Sequence, residues 1–338
     1  MVELKSNYKK YFTYFKLLIF GISVFIIFKI VDMRLVASYL KDIPLIVLIL
    51  ALVINIFRSW LTGLRWSLLN PDTSGQLSRW NYFRFAMIAF TYNLIMPGAL
   101  GGDFVKAALT MNAVNYKRID NIIAILSDRF IGFISIIMMG TFALILSRNI
   151  PESTALYLYI SFTVIYIATF IFIILFTNKY LFNLVRTVAL KMGKVGTFIN
   201  RVAEVWNDSV KYFITNKGKV IFGLLICIPI HLISFITAFI LARSLNIQIT
   251  FIEISLIISL VWVISAIPVT LGGAGIRELS LIYFFSMYDI APEPVTALAA
   301  YIYIIVILKS FIGLLFMVDW ININNAIILK LRERLELK

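Results

Sequence analysis

The chain predicts an all-α polytopic membrane protein built as an inverted repeat. Three observations carry that prediction. Of 338 residues, 61% are hydrophobic and only 14% charged. The apolar residues fall into runs of membrane-crossing length, and one string, P-x-x-L-G-G, ends a short apolar run in each half. A soluble chain holds roughly 45–50% apolar and about 25% charged residues, so this much apolar surface calls for lipid as solvent. Disorder, collagen-like repeats and a disulfide-stapled secreted domain are excluded.

The first span is expected over Phe12–Val31, behind Lys5, Lys9 and Lys10. Its flank, Lys29-Ile30-Val31-Asp32, offers no small-residue cleavage site, so it reads as a retained helix rather than a signal peptide. The second span covers Ile43–Leu64. A third stretch, Asn81–Met96, is short for a crossing and stops at Pro97-Gly98. Long runs follow at Ile122–Leu146 and Ala155–Phe176. The segment 177–219 is basic, with Leu181, Val185, Val188, Met192, Val195 and Ile199 at helical steps among Arg186, Lys191, Lys194 and Arg201. That pattern predicts amphipathic helices on the cytoplasmic lipid surface, divided at Gly193 and Gly196. Val220–Ala242, a run from Glu253 broken at Pro268, the piece Leu279–Met287 and a last span Val295–Val318 complete the series. Residues 319–338 form a basic tail, expected in the cytoplasm.

The two breaks are Pro97-Gly98-Ala99-Leu100-Gly101-Gly102 and Pro268-Val269-Thr270-Leu271-Gly272-Gly273. The offset of 171 residues sets Lys106 opposite Arg277. Proline lacks an N–H and Gly-Gly tolerates non-helical dihedrals, so the chain can turn back at membrane depth. Such a turn survives only inside protein or beside a polar cavity. Paired Gly/Pro-interrupted segments point to an inverted-repeat transporter with its site at the breaks. Two ordinary kinked helices packed through glycine are the plainer alternative. With re-entrant breaks, six spans cross fully and both termini are cytoplasmic. Lys/Arg then divide 21 inside to 4 outside, as the positive-inside rule asks. Eight full crossings also return the C-terminus inside but expose the basic group from Lys106 to Arg118. The expected organisation is a single integral membrane domain. Repeat one covers about 12–146 (hairpin 81–114) and repeat two about 155–318 (hairpin 253–288).

One cysteine, Cys227, and one histidine, His231, allow no intrachain disulfide and no Cys/His metal cage. The two stand four residues apart, but packing accounts for them better than a nucleophilic pair. No metal site and no cofactor are expected. The net charge of +14 fits basic loops on anionic headgroups rather than nucleic acid. Charges inside spans are costly and tend to mark pathways. On that ground Asp103, Lys106, Arg277 and Glu278 at the breaks are candidate site residues, with Pro97, Gly101, Gly102, Pro268, Gly272, Gly273 and Gly275 as the turns that present them. Arg58, Arg65, Asp128 and Arg129 are supporting charges, for which internal salt bridging, such as Arg58 with Asp128, is the competing account. Lys309, late in the last span, is read as a snorkelling cation.

The stretches Pro97-x-x-Leu100-Gly101-Gly102-Asp103-x-x-Lys106, Asp128-Arg129 and Pro268-x-x-Leu271-Gly272-Gly273-x-Gly275-Ile276-Arg277-Glu278 together resemble a known signature. It is that of the flippase-like membrane domain of lysylphosphatidylglycerol synthases, over roughly residues 15–320. Lys106 stands where arginine is expected and Asp128 where glutamate is frequent. The resemblance implies movement of a lipid or lipid-linked intermediate between leaflets of the cytoplasmic membrane. A soluble aminoacyl-transferase domain is not expected, nor lysine transfer to lipid. Lipids with anionic headgroups, and lipid-modifying enzymes, are the expected partners. A membrane glycosyltransferase using polyprenyl-phosphate sugars, or an accessory subunit of a lipid-modifying complex, are the alternatives.

Overall fold

The computed structural model describes residues 18–41, 43–70, 77–95, 101–113, 118–150, 152–178, 180, 182–183, 186–187, 193–266 and 273–336. Among them the regular structure is helical. The first predicted span is described from Leu18 onward as α1 (Leu18–Ile30). A short α2 (Met33–Tyr39) follows, its start capped by the Asp32 carboxylate, which accepts the Arg34 N–H at 2.8 Å. Then come α3 (Leu45–Leu69), α4 (Arg79–Ile95), α5 (Gly101–Ala113), α6 (Arg118–Leu146) and α7 (Glu152–Thr177). The second half holds α8 (Gly193–Thr215), α9 (Lys217–Ser244), α10 (Phe251–Ser265), α11 (Ile276–Ser286) and α12 (Pro292–Glu336).

Among the described residues five helices are long and apolar enough to cross a bilayer: α3, the 121–146 part of α6, the 154–171 part of α7, α9, and α12 from Pro292 to Val318. Large apolar side chains lie bare on their outer faces, among them Leu45, Ile46, Phe142, Tyr157, Phe170 and Leu315. Lipid is the solvent that permits this, and the chain is a multi-pass membrane protein.

Two four-helix units repeat the same order of long, short, short, long. In the first, α3, α4, α5 and α6 have 25, 17, 13 and 29 residues. In the second, α9, α10 and α11 have 28, 15 and 11, and the apolar part of α12 has 27. The units pack by a reciprocal rule: α3 lies on α9, α4 on α12, and α10 on α6. Hydrogen bonds locate the symmetry. Asn55 Nδ2 donates to Thr237 Oγ1 at 2.8 Å, and Arg65 Nη1 donates to Cys227 Sγ at 3.0 Å. Asn55 and Cys227 are both eleventh in their helices, and Arg65 and Thr237 both twenty-first. Each contact is therefore the image of the other, and α3 and α9 run antiparallel. Glycines serve the outer pairs alike. A side chain on Gly140 of α6 would strike Ser259 of α10, and one on Gly313 of α12 would strike Met87 and Thr91 of α4.

Local chemistry fixes the element starts. Thr250 and Glu253 cap α10 reciprocally, the Thr250 N–H reaching Glu253 Oε2 at 2.8 Å and the Glu253 N–H reaching Thr250 Oγ1 at 3.3 Å. The Tyr301 hydroxyl donates to the Leu40 carbonyl and ties α12 to the end of α2. One expectation fails. The amphipathic segment is not split at Gly196, because α8 runs unbroken from Gly193 through it. Helix propensity at one glycine costs only about 1 kcal/mol, and packing of α8 on α6 and α7 offsets it.

Candidate functional site

The structure sorts the intramembrane charges into two groups. The first surrounds Asp128 on α6, which is 2% exposed. Arg65 Nε donates to Asp128 Oδ1 at 2.7 Å, and Lys106 Nζ reaches Oδ2 at 3.3 Å. Lys106 also lies 5.1 Å over the Trp66 ring. Gly132, on the helix turn after Asp128, leaves room for the Arg65 guanidinium, whose Nη1 lies 3.2 Å from the point a Cβ there would take. Asp103, in the first turn of α5, pairs with Arg129. The salt bridge expected between Arg58 and Asp128 is not formed. Arg65, seven residues further along α3, takes that place, two helical turns being about 11 Å.

The second group lines a cavity among α3, α4, α9, α10, α11 and α12. Arg58, Arg277 and Lys309 all face it, with Asn55, Ser234 and Thr237 as neutral polar neighbours. No carboxylate is among its described lining residues. Trp262 organises the cations: Arg58 Cζ lies 5.6 Å and Arg277 Cζ 5.8 Å from its ring centre. The two carbons are thus no more than about 11.4 Å apart, the sum of those distances. Arg277 also lies 5.3 Å over Tyr303, and Lys309 Nζ 3.3 Å over Phe90. Arg58 Nε is buried with no hydrogen-bond partner among the described residues. Lys309 is only 4% exposed, so it does not snorkel to an interface as expected. Polar residues in mid-span, Asn55 and Thr237 with Lys309, were the sequence signal for this cavity. The aromatic platform of Trp262, Tyr303 and Phe90 had none, since such rings are ordinary in lipid-facing helices.

The breaks differ in conformation although they share a string. Pro97, Leu100, Pro268, Leu271 and Gly272 lie outside the described residues. At the first break Gly101 and Gly102 already lie within α5. There the Gly102 N–H donates to Asn93 Oδ1 at 2.7 Å, and a Cβ on Gly102 would strike the Ala89 carbonyl, so glycine lets α5 close on α4. At the second break Gly273 and Gly275 take φ of 81° and 84°, a region that favours glycine. A Cβ on Gly275 would also meet Ser23 of α1 at 2.7 Å. Helix α11 starts only at Ile276, and Glu278 caps it from within, accepting the Gly275 N–H at 2.5 Å. Arg277 is therefore second in its helix, whereas Lys106 lies at least five residues into α5. The two residues opposite each other in the motif occupy different groups, one locked to Asp128 and one in the cavity. Cys227 and His231, read as packing residues rather than a nucleophilic pair, have separate partners: Cys227 Sγ accepts from Arg65 Nη1, and His231 Nε2 lies 2.8 Å from Ser135 Oγ.

A family model described as the lysylphosphatidylglycerol synthase TM region matches residues 14–313. The chain belongs to that family. The match takes in both breaks, the Asp128 cluster and all three cavity cations. No curated protein and no solved structure matches the chain. Membership in the lysylphosphatidylglycerol synthase TM family assigns the protein a lipid-related role in the membrane.

Proposed function

We propose that the protein is a lipid translocator that moves an anionic phospholipid or lipid-linked intermediate between leaflets of the cell membrane. The observation that carries this reading is the cavity that Arg58, Arg277 and Lys309 face together, with no carboxylate among its described lining residues. Cations gathered at membrane depth are costly and tend to mark a pathway or a ligand that carries negative charge. A headgroup phosphate suits them, since guanidinium groups grip its oxygens in pairs at about 1.5–3 kcal/mol per charged hydrogen bond. The apolar wall of Ile258, Val261, Ile302 and Val306 suits the start of the tail, which stays in the bilayer.

Alternating access would come from the two units. Helices α4, α5, α10 and α11 measure about 16–26 Å at ~1.5 Å per residue, short of the ~30 Å hydrocarbon core. Two oppositely inserted hairpins with six full spans, and both termini in the cytoplasm, agree with these lengths, with the antiparallel α3–α9 pair and with the 21-to-4 charge split. In this reading the hairpins rock about the α3–α9 contact. The second hairpin presents Arg277 and its glycine turn, and the first presents Lys106 with Gly101 and Gly102 once Asp128 releases it. Asp103, Arg129 and Arg65 hold the closed arrangement.

The test is reconstitution into phosphatidylcholine liposomes holding fluorescent anionic or zwitterionic lipid in one leaflet. Anionic probes should cross at least about 10-fold faster than without protein, and Arg58→Gln or Arg277→Gln should remove most of that rate. Equal rates for neutral and anionic probes would remove the headgroup site from the account. For topology, cysteines at Lys117 and Asp289 in a Cys227→Ala background should label from inside and outside respectively.

A further inference from the structure

Trp262 stands where three elements meet at the cavity, and its surroundings are not those of a residue that fills a core. It is 42% exposed, while Val261 beside it is 4% exposed and packs in the main hydrophobic cluster. Ile258, Val261 and Trp262 follow at helical spacing on α10 and all line the cavity. The Trp262 ring carries Arg58 of α3 at 5.6 Å and Arg277 of α11 at 5.8 Å. The glycine turn admits the second of these. Arg277 Nη2 lies 3.3 Å from the point a Cβ on Gly273 would take, and the Ser265 Cβ of α10 lies 3.4 Å from it, so a side chain there would crowd the return of the arginine to α10. The arginines differ in what else holds them. Arg277 also lies over Tyr303, beside which Glu278 stands. Arg58 is placed by Trp262: its Nε is buried without a hydrogen-bond partner, and no carboxylate pairs with it, among the described residues.

We infer that Trp262 is a positioning residue of the cavity: its ring holds the Arg58 guanidinium toward the headgroup phosphate and ties that cation to the second hairpin. This inference rests on the translocator reading and assigns a residue to its site. A ring face attracts a cation without neutralising it, so Arg58 keeps its charge and its N–H groups for an anion. A carboxylate in the place of the ring would satisfy the arginine and compete with the ligand. Arg58 lies on α3, which packs on α9 in the contact about which the hairpins are proposed to rock. Trp262 and Arg277 lie on α10 and α11, the helices of the second hairpin. The position of α10 therefore sets whether the guanidinium groups of Arg58 and Arg277 face one phosphate. Lys309 lies over the Phe90 ring instead and does not depend on Trp262.

A double-substitution cycle separates positioning from packing. The purified full chain in phosphatidylcholine nanodiscs would be titrated calorimetrically with dihexanoyl-phosphatidylglycerol, and each variant melted alone so that a folding defect is seen separately. Trp262→Leu keeps apolar bulk but removes the ring, and should weaken binding by about 10-fold, a desolvated cation–ring contact being worth about a decade in affinity. Trp262→Tyr keeps a ring face and should stay within about 3-fold of the parent. Trp262→Leu added to Arg58→Gln should cost nothing more, because the ring acts through that arginine. Added to Lys309→Met it should multiply the two losses to about 100-fold, since those residues are independent. Trp80→Leu removes a 53% exposed ring that packs on Phe316 outside the cavity, and should change nothing. Parental affinity in Trp262→Leu overturns the inference. So does a further 10-fold loss when Trp262→Leu is added to Arg58→Gln, or a Trp262→Tyr variant as weak as Trp262→Leu, either of which makes Trp262 a packing residue. The same variants in the liposome assay keep the two readings apart. If Trp262→Leu carries anionic lipid at the parental rate, translocation stands and this inference falls. If the cycle behaves as expected while no lipid crosses, Trp262 positions Arg58 for an anion and translocation falls.

Discussion

Replacing Lys309 by methionine tests whether the cavity is kept for a ligand at a cost to the fold. The ammonium is 4% exposed, sits 3.3 Å over the Phe90 ring, shares its cavity with Arg58 and Arg277, and has no acidic partner among the described residues. Burying an ammonium costs several kcal/mol after relaxation. The Phe90 ring returns about 2 kcal/mol when desolvated. Methionine keeps nearly the whole side-chain length, packs on the same ring and carries no charge. The difference predicts that Lys309→Met is more stable than the parent by about 1–3 kcal/mol, while its transport of anionic lipid falls by about 10-fold or more. Stability would be read from reversible unfolding in mixed micelles, and transport from the liposome assay per folded molecule. A structural lysine behaves in the opposite way. If Lys309→Met loses more than about 1 kcal/mol, a counter-charge holds it and the cavity is no empty anion site.

Asp128→Asn should cost about 3–5 kcal/mol in the same unfolding assay, because it leaves Arg65 and Lys106 buried without their shared anion; a loss under about 1 kcal/mol would mean that the cluster is not a lock. Gly275→Ala should cost about 1–2 kcal/mol from its φ of 84° alone, and more from contact with Ser23, which a Ser23→Gly background would partly restore. Gly313→Ala should destabilise by about 1–3 kcal/mol by forcing α12 off α4. Gly140→Ala should do the same between α6 and α10, and clear inequality between the two would speak against equivalent packing of the units.

Hydropathy made the all-α membrane architecture and its long helices legible, and the twin P-x-x-L-G-G strings marked where the short helices meet, because lipid leaves few other solutions to so apolar a chain. The boundaries of the repeat were less visible. The structure matches α3–α6 with α9–α12 and leaves α1, α2, α7 and α8 outside the reciprocal packing, since only backbone packing distinguishes a span inside the repeat from one beside it. The motif register also misled: the extra glycine turn before Ile276 moves α11 relative to α5, so Arg277 and Lys106 part company. Which arginine would meet Asp128 was likewise undetermined. Arg58 and Arg65 share a helix face, and only the position of α6 along that face selects Arg65.

The Asp128 cluster holds its own anion, whereas no carboxylate is among the described residues that line the cavity. Ile302 lines the cavity with its cations, so a carboxylate placed there asks whether internal salt bridging is all the charges are for. One substitution would then neutralise part of the field of Arg58, Arg277 and Lys309. Ile302→Asp makes that change. The new carboxylate would enter the space in which the ligand phosphate is proposed to sit, and would pair with the cations there. Stability should rise or hold within about 1 kcal/mol, since a buried charge gains partners as it loses water. Anionic lipid transport should fall at least as far as in Lys309→Met. A variant that remains folded and transports at the parental rate would show that the ligand does not use this cavity, whatever else the cations do.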